Sequence, residues 1–159
     1  MDLDQLEEIF KNENPDVCIL VSVLGLVPDM GRVKSLCEKY NVILLEDVCE
    51  SLGSRYQGKM LGTFGDASFF SLYYGHHLST IEGGMISTLD HDLWDLLVSI
   101  RNHGWDRDWD ENKRREFSEK YGNDSFTSMY TFYYPGLNVR STDLQAFIGI
   151  NQLENADHF

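Results

Sequence analysis

Two carboxylates follow an apolar run in the first third of the chain. Asp47 comes directly after Val42-Ile43-Leu44-Leu45-Glu46, and Glu50 lies three residues further on. The run is typical of a buried strand, and open α/β sheets bind their ligands at the carboxyl ends of such strands. The strand pattern by itself favours a plainer role for Asp47, because Asp commonly caps the turn or helix that follows. For Glu50, a binding role and a solvated loop are equally compatible with the sequence.

A second reactive segment carries one hydroxyl and two imidazoles. Ser71 ends an apolar stretch, and His76 and His77 follow it in a glycine-containing loop. A serine hydroxyl with neighbouring backbone N–H groups can hold a phosphate, although a serine at a strand end is usually a turn residue. Histidine transfers protons near neutral pH. No His, Cys or Glu spacing around His76 suits a metal ion, so we predict no metal site.

The elements that must position these residues are predicted from hydrophobic periodicity. Apolar residues at helical spacing predict helices over 3–11, 28–40, 91–101, 111–120 and 142–155. Apolar runs predict strands over 17–22 and 42–46, with short strands at 67–72 and 85–87 on either side of the His76 loop. The strand–helix–strand order predicts a parallel pair with a right-handed crossover. The expected fold class is therefore α/β, with a mixed, largely parallel sheet flanked by helices.

Three further expectations concern packing. The last helix carries an apolar stripe at core-facing spacing, formed by Leu144, Phe147, Ile148 and Leu153. The aromatic run 130–135 is more typical of packing than of a sugar-binding platform. Cys18 and Cys49 lie in apolar contexts, so we predict that they are buried free thiols.

Composition limits the classes of partner. The 159 residues suffice for one domain with a sizeable core, and the net charge of -13 argues against binding nucleic acid through its phosphates. The longest apolar run, 17–27, is too short to cross a bilayer, and no signal peptide is visible. Three scattered cysteines indicate a reducing compartment. We therefore expect a cytoplasmic protein that binds neither nucleic acid nor membrane.

Taken together, these motifs resemble those of the DegT/DnrJ/EryC1/StrS family of sugar aminotransferases. The shared segments stand in the family's order: Asp47 after its strand, a turn at 56–59, Phe64-Gly65-Asp66, Ser71 to His76, Glu82-Gly83-Gly84, Arg-Asn-His-Gly at 101–104 and Gly-Leu-Asn-Val-Arg at 136–140. Each is weak alone, and the resemblance depends on their order and spacing. His76 stands where the family's lysine would be expected. A histidine there is typical of the family's sugar 3-dehydratase branch.

The resemblance implies a fold-type-I protein that uses pyridoxal phosphate (PLP). Asp47 would pair with the pyridine nitrogen, Glu50 would lie near the ring hydroxyl, and Ser71 would hold the phosphate. Asn138 and Arg140 match a family segment that helps to build the partner subunit's site, so a homodimer is also implied. Arginine suits this role because it binds phosphate bidentately. From the residues alone, the same segment also predicts the start of a helix that is capped by Asn138 or Thr142, and this role is compatible with the first one.

The histidine at position 76 decides which chemistry the resemblance implies. Imidazole cannot form the Schiff base that lysine forms, so PLP or pyridoxamine phosphate (PMP) would bind without a covalent tether. The implied reaction removes the C3 hydroxyl of a nucleotide-linked 4-keto-6-deoxyhexose, with an amino donor such as glutamate. Some such enzymes carry an iron–sulfur cluster, which needs thiolates. No cysteine occurs in 104–134, so the cluster-free type is the closer match.

Two alternatives stay open on the sequence. An ordinary sugar aminotransferase would require a Schiff-base lysine near position 76, and the nearest lysine, Lys59, belongs to another element. A non-catalytic remnant or interaction module is the second alternative, because family members are much longer. Under each of these functions, the resemblance implies that residues 1–159 form a partial large, cofactor-binding domain, without the N-terminal part and the small C-terminal domain. Such a piece is expected to be inactive by itself.

Overall fold

The computed structural model describes residues 1–154 and Ala156, so the predicted end of the last helix, at Asn155, lies outside the described residues. The chain divides into two compact units. The first unit comprises Met1–Leu89 together with the segment from Thr142 onwards, and the second comprises Asp90–Ser141. No helix in the described part of the chain is both long enough and apolar enough to cross a membrane.

The helices and strands of the described residues agree closely with the periodicity. The helices are α1 (Leu3–Glu13), α2 (Met30–Tyr40), α3 (His91–Ile100), α4 (Glu111–Tyr121), α5 (Ser125–Ser128) and α6 (Asp143–Leu153). The strands are β1 (Val17–Val21), β2 (Ile43–Asp47), β3 (Arg55–Tyr56), β4 (Lys59–Met60), β5 (Ala67–Ser71) and β6 (Gly84–Thr88). The predicted long elements are all present, with ends shifted by one or two residues. The β3–β4 hairpin and α5 were not predicted as such.

Four strands form the sheet that carries the candidate site, in the order β1-β2-β5-β6. β1, β2 and β5 are parallel, and β6 runs antiparallel to β5. This pairing confirms the mixed, largely parallel sheet. In register, Asp47 of β2 lies between Val21 of β1 and Phe69 of β5. The carboxyl ends of three neighbouring strands therefore meet at one edge.

Short polar residues set the ends of the helices that cover this sheet. Asp2 begins α1, where its carboxylate accepts the backbone N–H groups of the first turn, and Asp29 does the same for α2. Asn14 and Asn41 end the two helices in the left-handed conformation, which asparagine tolerates better than most residues. Local sequence thus fixes where α1 and α2 start and stop.

The hydrophobic core of the first unit lies between these two helices and one face of the sheet. Its fully buried members are Phe10, Leu20, Met30, Val33, Leu36, Cys37, Val42, Leu44, Val48 and Leu61. Burying one such large side chain contributes about 1.5–3 kcal/mol relative to leaving it exposed. Along β1 and β2 the buried residues are alternate ones, so only one face of each strand enters this core.

The other face of the sheet is apolar and exposed in the described residues. Val17, Ile19 and Val21 of β1, with Ile43 of β2, keep 42–58% of their surface accessible. A parallel sheet is normally covered on both faces, and its strands accordingly read as continuous apolar runs. β1 and β2, which their apolar runs predicted to be buried strands, are therefore covered on only one face in the described residues.

The prediction that α6 presents a core-facing stripe is wrong for three of its four residues, which are exposed: Leu144, Phe147 and Leu153. Ile148 is half-buried. Helical periodicity identifies an apolar stripe, but it does not show which element packs against that stripe. The packed side of α6 instead carries Gln145 and Gly149, which lie against the segment that precedes β6.

The cysteines are free, as predicted, but two of them are less buried than expected. Cys37 is buried, whereas Cys18 and Cys49 are half-buried, so the prediction of full burial is wrong for both. Burial still raises the pKa of the Cys37 and Cys49 thiols to about 11. Both are therefore neutral thiols at pH 7, and neither has the lowered pKa of a reactive cysteine.

Aromatic side chains form the core of the second unit. Trp109 is buried, packs edge-on against Phe117 with ring centroids 4.7 Å apart, and stacks on Tyr133 at 5.8 Å. Its indole N–H donates to the backbone oxygen of Asp95 at 2.8 Å. Tyr134 meets the same tryptophan edge-on. These contacts confirm the packing role of this part of the aromatic run 130–135.

Candidate active site

The carboxyl edge of the sheet carries two of the predicted site residues. Asp47 is the last residue of β2 and Ser71 is the last residue of β5, two positions beyond the Phe69 that pairs with Asp47. Parallel neighbours end at the same edge, so the strand pairing brings these residues together although 24 positions separate them in the sequence. The structure thus places both polar groups where α/β sheets bind ligands.

Asp47 is half-buried and also shapes the turn that follows it. Its Oδ1 accepts the backbone N–H of Cys49 at 3.1 Å, and its own carbonyl accepts the N–H of Ser22 at 3.1 Å. The pKa of Cys49 is raised first by burial and then by its contact with this carboxylate. The capping role that the strand pattern favours is therefore present, and it holds the carboxylate at the strand end.

Glu50 connects the turns that follow β1 and β2. Its Oε2 accepts the backbone N–H of Leu24 at 3.0 Å, and the residue is half-buried. The alternative of a freely solvated loop glutamate is wrong. Leu24 adopts φ 53°, a left-handed conformation that is unfavourable for leucine, with its side chain exposed beside the strand ends. One role of Glu50 is to stabilise this unusual turn.

The loop that carries the histidines is an ordered hairpin between β5 and β6. The Leu72 N–H donates to Gly83 O, the Tyr74 N–H donates to Ile81 O, and the Thr80 N–H donates back to Leu72 O, each at 2.9–3.0 Å. These cross-loop bonds continue the antiparallel ladder beyond the strands. His76 therefore sits at the tip of a defined hairpin, as the flanking strands predicted.

Ser71 and His76 are joined through the first turn of this hairpin. The Ser71 Oγ accepts the backbone N–H of Tyr73 at 3.1 Å, which still allows its hydroxyl to donate to a ligand. The His76 N–H donates to Tyr73 O at 3.0 Å, and the imidazole meets the Tyr73 ring edge-on at 6.0 Å. The His76 Nδ1 is buried and has no hydrogen-bond partner among the described residues. An unpaired buried nitrogen is energetically costly, and proton transfer or contact with a ligand is one explanation for it.

Thr80 and Gln145, which sequence reasoning missed, form hydrogen bonds to the base of the hairpin. The Glu82 carbonyl accepts the Thr80 hydroxyl and the Gln145 amide N–H, both at 2.8 Å. Gly83 has φ +155°, and a Cβ at this position would lie 2.6 Å from the Thr80 Oγ1. The glycine of this motif is therefore needed for close packing. The available signal was the Thr-x-x-Gln spacing of 142–145, a capping pattern in which the Gln145 Oε1 also accepts the Thr142 N–H at 2.8 Å.

Glu46 is a second group that sequence reasoning missed. It is 2% exposed and accepts three backbone N–H groups, from Gly62 at 2.8 Å, Phe64 at 2.6 Å and Gly65 at 2.7 Å. A Cβ at Gly65 would lie 2.5 Å from the Leu44 carbonyl, so this loop approaches β2 closely. Successive strand residues point to opposite faces, so Glu46 enters the core side while Asp47 does not. Glu46 anchors the loop that leads into β5.

Asn138 and Arg140 lie in the second unit, where both are exposed. The Arg140 Nε donates to the Asn138 Oδ1 at 3.1 Å, which holds the guanidinium beside the amide. Asn138 is also bridged to Asn102 through the backbone, so the segments 101–104 and 136–140 lie side by side. A Cβ at Gly104, where φ is +88°, would lie 1.8 Å from the Tyr134 oxygen. That glycine is therefore required by close backbone packing.

Two other sequence expectations are resolved by contacts. Thr142 is the N-cap residue of α6, which bears out the capped helix start, while the Asn138 side chain is engaged by Arg140 instead. Lys59 lies in β4 with its ammonium over the Phe64 ring, 4.5 Å from the centroid, and not in the His76 hairpin. Across the described residues, no group of three or more His, Cys, Asp and Glu side chains could hold a metal ion.

Comparison with known proteins agrees with this geometry. The model of the DegT/DnrJ/EryC1/StrS aminotransferase family matches residues 1–159. The GDP-4-keto-6-deoxy-D-mannose 3-dehydratase of Yersinia pseudotuberculosis is 35% identical over all of this chain, and GDP-perosamine synthase of Escherichia coli O157:H7 is 31% identical. The match spans 40% of the first relative and 38% of the second.

A solved structure shares the fold as well. A GDP-4-keto-6-deoxymannose-3-dehydratase crystallised with a trapped PLP-glutamate geminal diamine superposes with a TM-score of 0.85 at 32% identity. The alignment covers 100% of this chain and 40% of that one. The family match over the whole chain, the shared fold and the strand-edge site agree. The chain belongs to the DegT/DnrJ/EryC1/StrS aminotransferase family.

Proposed function

We propose that the full-length protein is a nucleotide-sugar 3-dehydratase that uses PLP or PMP without a covalent tether. The reaction removes the C3 hydroxyl of a nucleotide-linked 4-keto-6-deoxyhexose in deoxysugar or surface-polysaccharide synthesis. The observation that carries the proposal is the His76 imidazole, whose Nδ1 is buried and unpaired among the described residues, in the hairpin that follows β5; the carboxyl end of β5 lies at the same sheet edge as Asp47.

The residues of the first unit fit a phosphorylated pyridine. Asp47 offers a half-buried carboxylate held at the strand end, Ser71 keeps a free donor, and His76 has an orphaned nitrogen. When bound, the cofactor supplies an electron sink for the carbanion that forms on the substrate. Asp47 holds a proton at the pyridine nitrogen by charge pairing, which strengthens that sink.

His76 is the proposed proton-transfer residue. Its Nδ1 lacks a partner in the described residues, so it can accept and return a proton without breaking an existing hydrogen bond. The Tyr73 carbonyl fixes the backbone of His76, and the Tyr73 ring packs on the imidazole. These two contacts limit the orientations of the imidazole, and a positioned base is more effective than a mobile one.

The remaining contacts are assigned to binding. Ser71 would donate to the cofactor phosphate, and Glu50, which stabilises the turn at Leu24, would contact the ring hydroxyl. Asn138 and Arg140 act on the partner subunit's site in a homodimer. This assignment is supported by the exposure of both residues and by the Arg140 Nε–Asn138 Oδ1 hydrogen bond, which orients the guanidinium and leaves its other N–H groups for a phosphate.

The substrate and amino donor are proposed from the relatives. The chain is similar to a dehydratase of a GDP-linked keto sugar and to one trapped with PLP and glutamate, so a nucleotide-linked keto sugar and glutamate are the proposed reactants. We place the protein in the cytoplasm. Residues 1–159 are proposed to be part of the large domain of a longer protein, since they span about 40% of the relatives.

An ordinary aminotransferase is the second candidate, because GDP-perosamine synthases are also relatives. It lacks support at the site, since 71–84 contains no lysine and Lys59 lies in the other hairpin. A non-catalytic module is the third. The three readings differ in how the cofactor is held and in what glutamate does to it.

The test uses the full-length protein reconstituted with PLP. Borohydride treatment should leave the protein mass unchanged, because no lysine amine is tethered, and glutamate should change the cofactor's absorbance spectrum. Adding a GDP-linked 4-keto-6-deoxyhexose should then yield the 3-deoxy sugar. If borohydride reduction instead fixed PLP covalently on a lysine, the aminotransferase would be favoured. A cofactor spectrum that does not respond to glutamate would favour the non-catalytic module.

A further inference from the structure

An open cavity of about 680 Å³ lies wholly within the second unit. Its wall is formed by the segment before α4, by one side of α4 and by the end of α5. The residues that line it include the charged side chains of Asp106, Arg107, Glu111, Arg114 and Arg115 and the aromatic ring of Tyr130. Cavities of roughly 300–1,000 Å³ are typical of small-molecule sites.

The charge of this cavity runs against the charge of the chain. The protein has 26 acidic and 13 basic residues, yet three of its seven arginines line this one cavity: Arg107, Arg114 and Arg115. In the part of the chain that the structure describes, none of the three forms an ion pair. Arg115 donates one hydrogen bond, to the Asn112 Oδ1 at 3.5 Å. The other guanidinium N–H groups are available to an anion from outside.

The absence of ion pairs at Arg114 and Arg115 among the described residues is not shared by the neighbouring cation of α4, Lys113. Lys113 precedes the arginines and is paired with both Asp92 and Asp95 of α3. Phe117, on the same helix, is buried against Trp109. These contacts fix which side of α4 packs inward, and the arginines at 114 and 115 are left for the cavity.

Arg107 is held in place by stacking. Its guanidinium carbon lies 3.4 Å from the centre of the Trp105 ring, and Trp105 stacks in turn on Phe132 with centroids 4.9 Å apart. A guanidinium that stacks through its face still presents its N–H groups at its edge. Arg107 therefore has a restricted orientation before any ligand binds, which lowers the entropy cost of binding.

Two carboxylates also line the cavity, so a singly charged anion gains little there. Glu111 is exposed, while Asp106 is buried, and burial raises the pKa of Asp106 against the attraction of Arg114 and Arg107. Burial therefore disfavours the charged form of the Asp106 carboxyl. Three cations against two anions favour a ligand with several negative charges close together.

We propose that this cavity binds the diphosphate group of a nucleoside diphosphate, with Arg107, Arg114 and Arg115 as its ligands. Arginine pairs bidentately with phosphate oxygens, and three forks can engage two phosphates. The exposed ring of Tyr130 on the same cavity provides a surface on which a base stacks. The inference rests on the proposed function for the choice of a nucleotide.

The test is calorimetric titration of GDP into the full-length protein at low salt, without PLP or sugar. Arg114→Gln and Arg115→Gln should each weaken GDP binding at least about tenfold, the usual loss for a charge-assisted hydrogen bond. Lys120→Gln is the matched control, because it removes the same charge from the same helix but does not line the cavity. It should leave the affinity nearly unchanged.

Two further ligands identify the group that is recognised. Inorganic diphosphate should bind with the same dependence on Arg114 and Arg115, and guanosine should bind at least about tenfold more weakly than GDP. Arg114→Lys keeps the charge and should bind with intermediate affinity, which guards against a folding defect in the glutamine variant. Circular dichroism of each variant checks the fold.

Any one of three results would overturn the inference. They are no GDP binding at millimolar concentration, an equal loss in Lys120→Gln and Arg114→Gln, or guanosine binding as tightly as GDP. The proposed function is tested by different measurements, namely the response of the cofactor spectrum to glutamate and the removal of the sugar hydroxyl. Failure of the GDP-binding test therefore does not decide the test of the proposed function, and the reverse also holds.

Discussion

Replacing Glu46 by glutamine tests whether one buried carboxylate holds the loop that leads into β5. The Glu46 Oε1 accepts the N–H groups of Phe64 and Gly65, and its Oε2 accepts the N–H of Gly62. Glutamine has one oxygen and one NH₂ group of nearly the same size. Its oxygen can keep the two bonds to Phe64 and Gly65, but the NH₂ group then faces the N–H of Gly62, donor against donor.

The expected loss follows from this count of bonds. One charge-assisted bond disappears, the Gly62 N–H is left unpaired, and the two remaining bonds become neutral ones. Bonds to charged groups contribute about 1.5–3 kcal/mol each, and an unpaired buried donor costs about 1–3 kcal/mol. These penalties overlap, so we expect Glu46→Gln to lower the free energy of unfolding by about 2–4 kcal/mol. That is a large share of the stability of a small domain.

Urea unfolding followed by circular dichroism measures this difference at pH 7. Glu8→Gln is the matched control, because Glu8 is an exposed residue of α1 and undergoes the same chemical change. It should change the free energy of unfolding by no more than about 0.5 kcal/mol. If Glu46→Gln cost no more than Glu8→Gln, with an unchanged denaturant slope, the three bonds would not stabilise the loop and the reasoning would be refuted.

The other predictions concern the site, the fragment and pH. In the full-length protein, Asp47→Asn should slow loss of the 3-hydroxyl about a hundredfold or more while the cofactor Kd changes less; normal single-turnover rates at saturation would contradict this. His76→Ala should abolish dehydration and retain cofactor binding, and near-parental turnover would exclude His76 as the proton-transfer residue. The isolated 159-residue chain should show no turnover of a 4-keto-6-deoxy nucleotide sugar. Hydrogen bonds from Tyr56 and then from the backbone of Arg32 hold the pKa of Asp29 below its ordinary 3.8, so its contribution to stability is complete above that pH and is lost as the pH falls through the lowered value. The difference in unfolding free energy between parent and Asp29→Asn should therefore shrink in acid, and a difference that stayed constant down to about pH 2 would exclude this linkage.

Local features of the sequence explain why the elements were predictable. Asp2 and Asp29 cap the helices that they precede, and Asn14 and Asn41 end them, so each boundary is encoded within a few residues of itself. The apolar runs likewise mark β1 and β2. The placement of Asp47 followed from one general property, that parallel strands end at a common edge.

The less predictable parts of the site depend on partners far away in the sequence. Gln145 donates to the carbonyl of Glu82 from 63 positions away, and Leu24 donates to Glu50 from 26 positions away. The local sequence contains a capping pattern and a loop glutamate, which are compatible with many partners. Which pair forms is decided by how α6 and the turns pack on the hairpin.

By itself, the sequence determined the order of strands and helices, the aspartate at the end of β2, and a histidine in place of lysine. Those properties depend on residue type and local spacing, and folding cannot alter them. Only the tertiary structure decided that Glu46 anchors a loop, that the His76 Nδ1 is buried and unpaired, and that three arginines share one cavity. Burial and charge clustering arise from contacts between distant segments, and the free energy of a polar group depends on whether those contacts leave it paired.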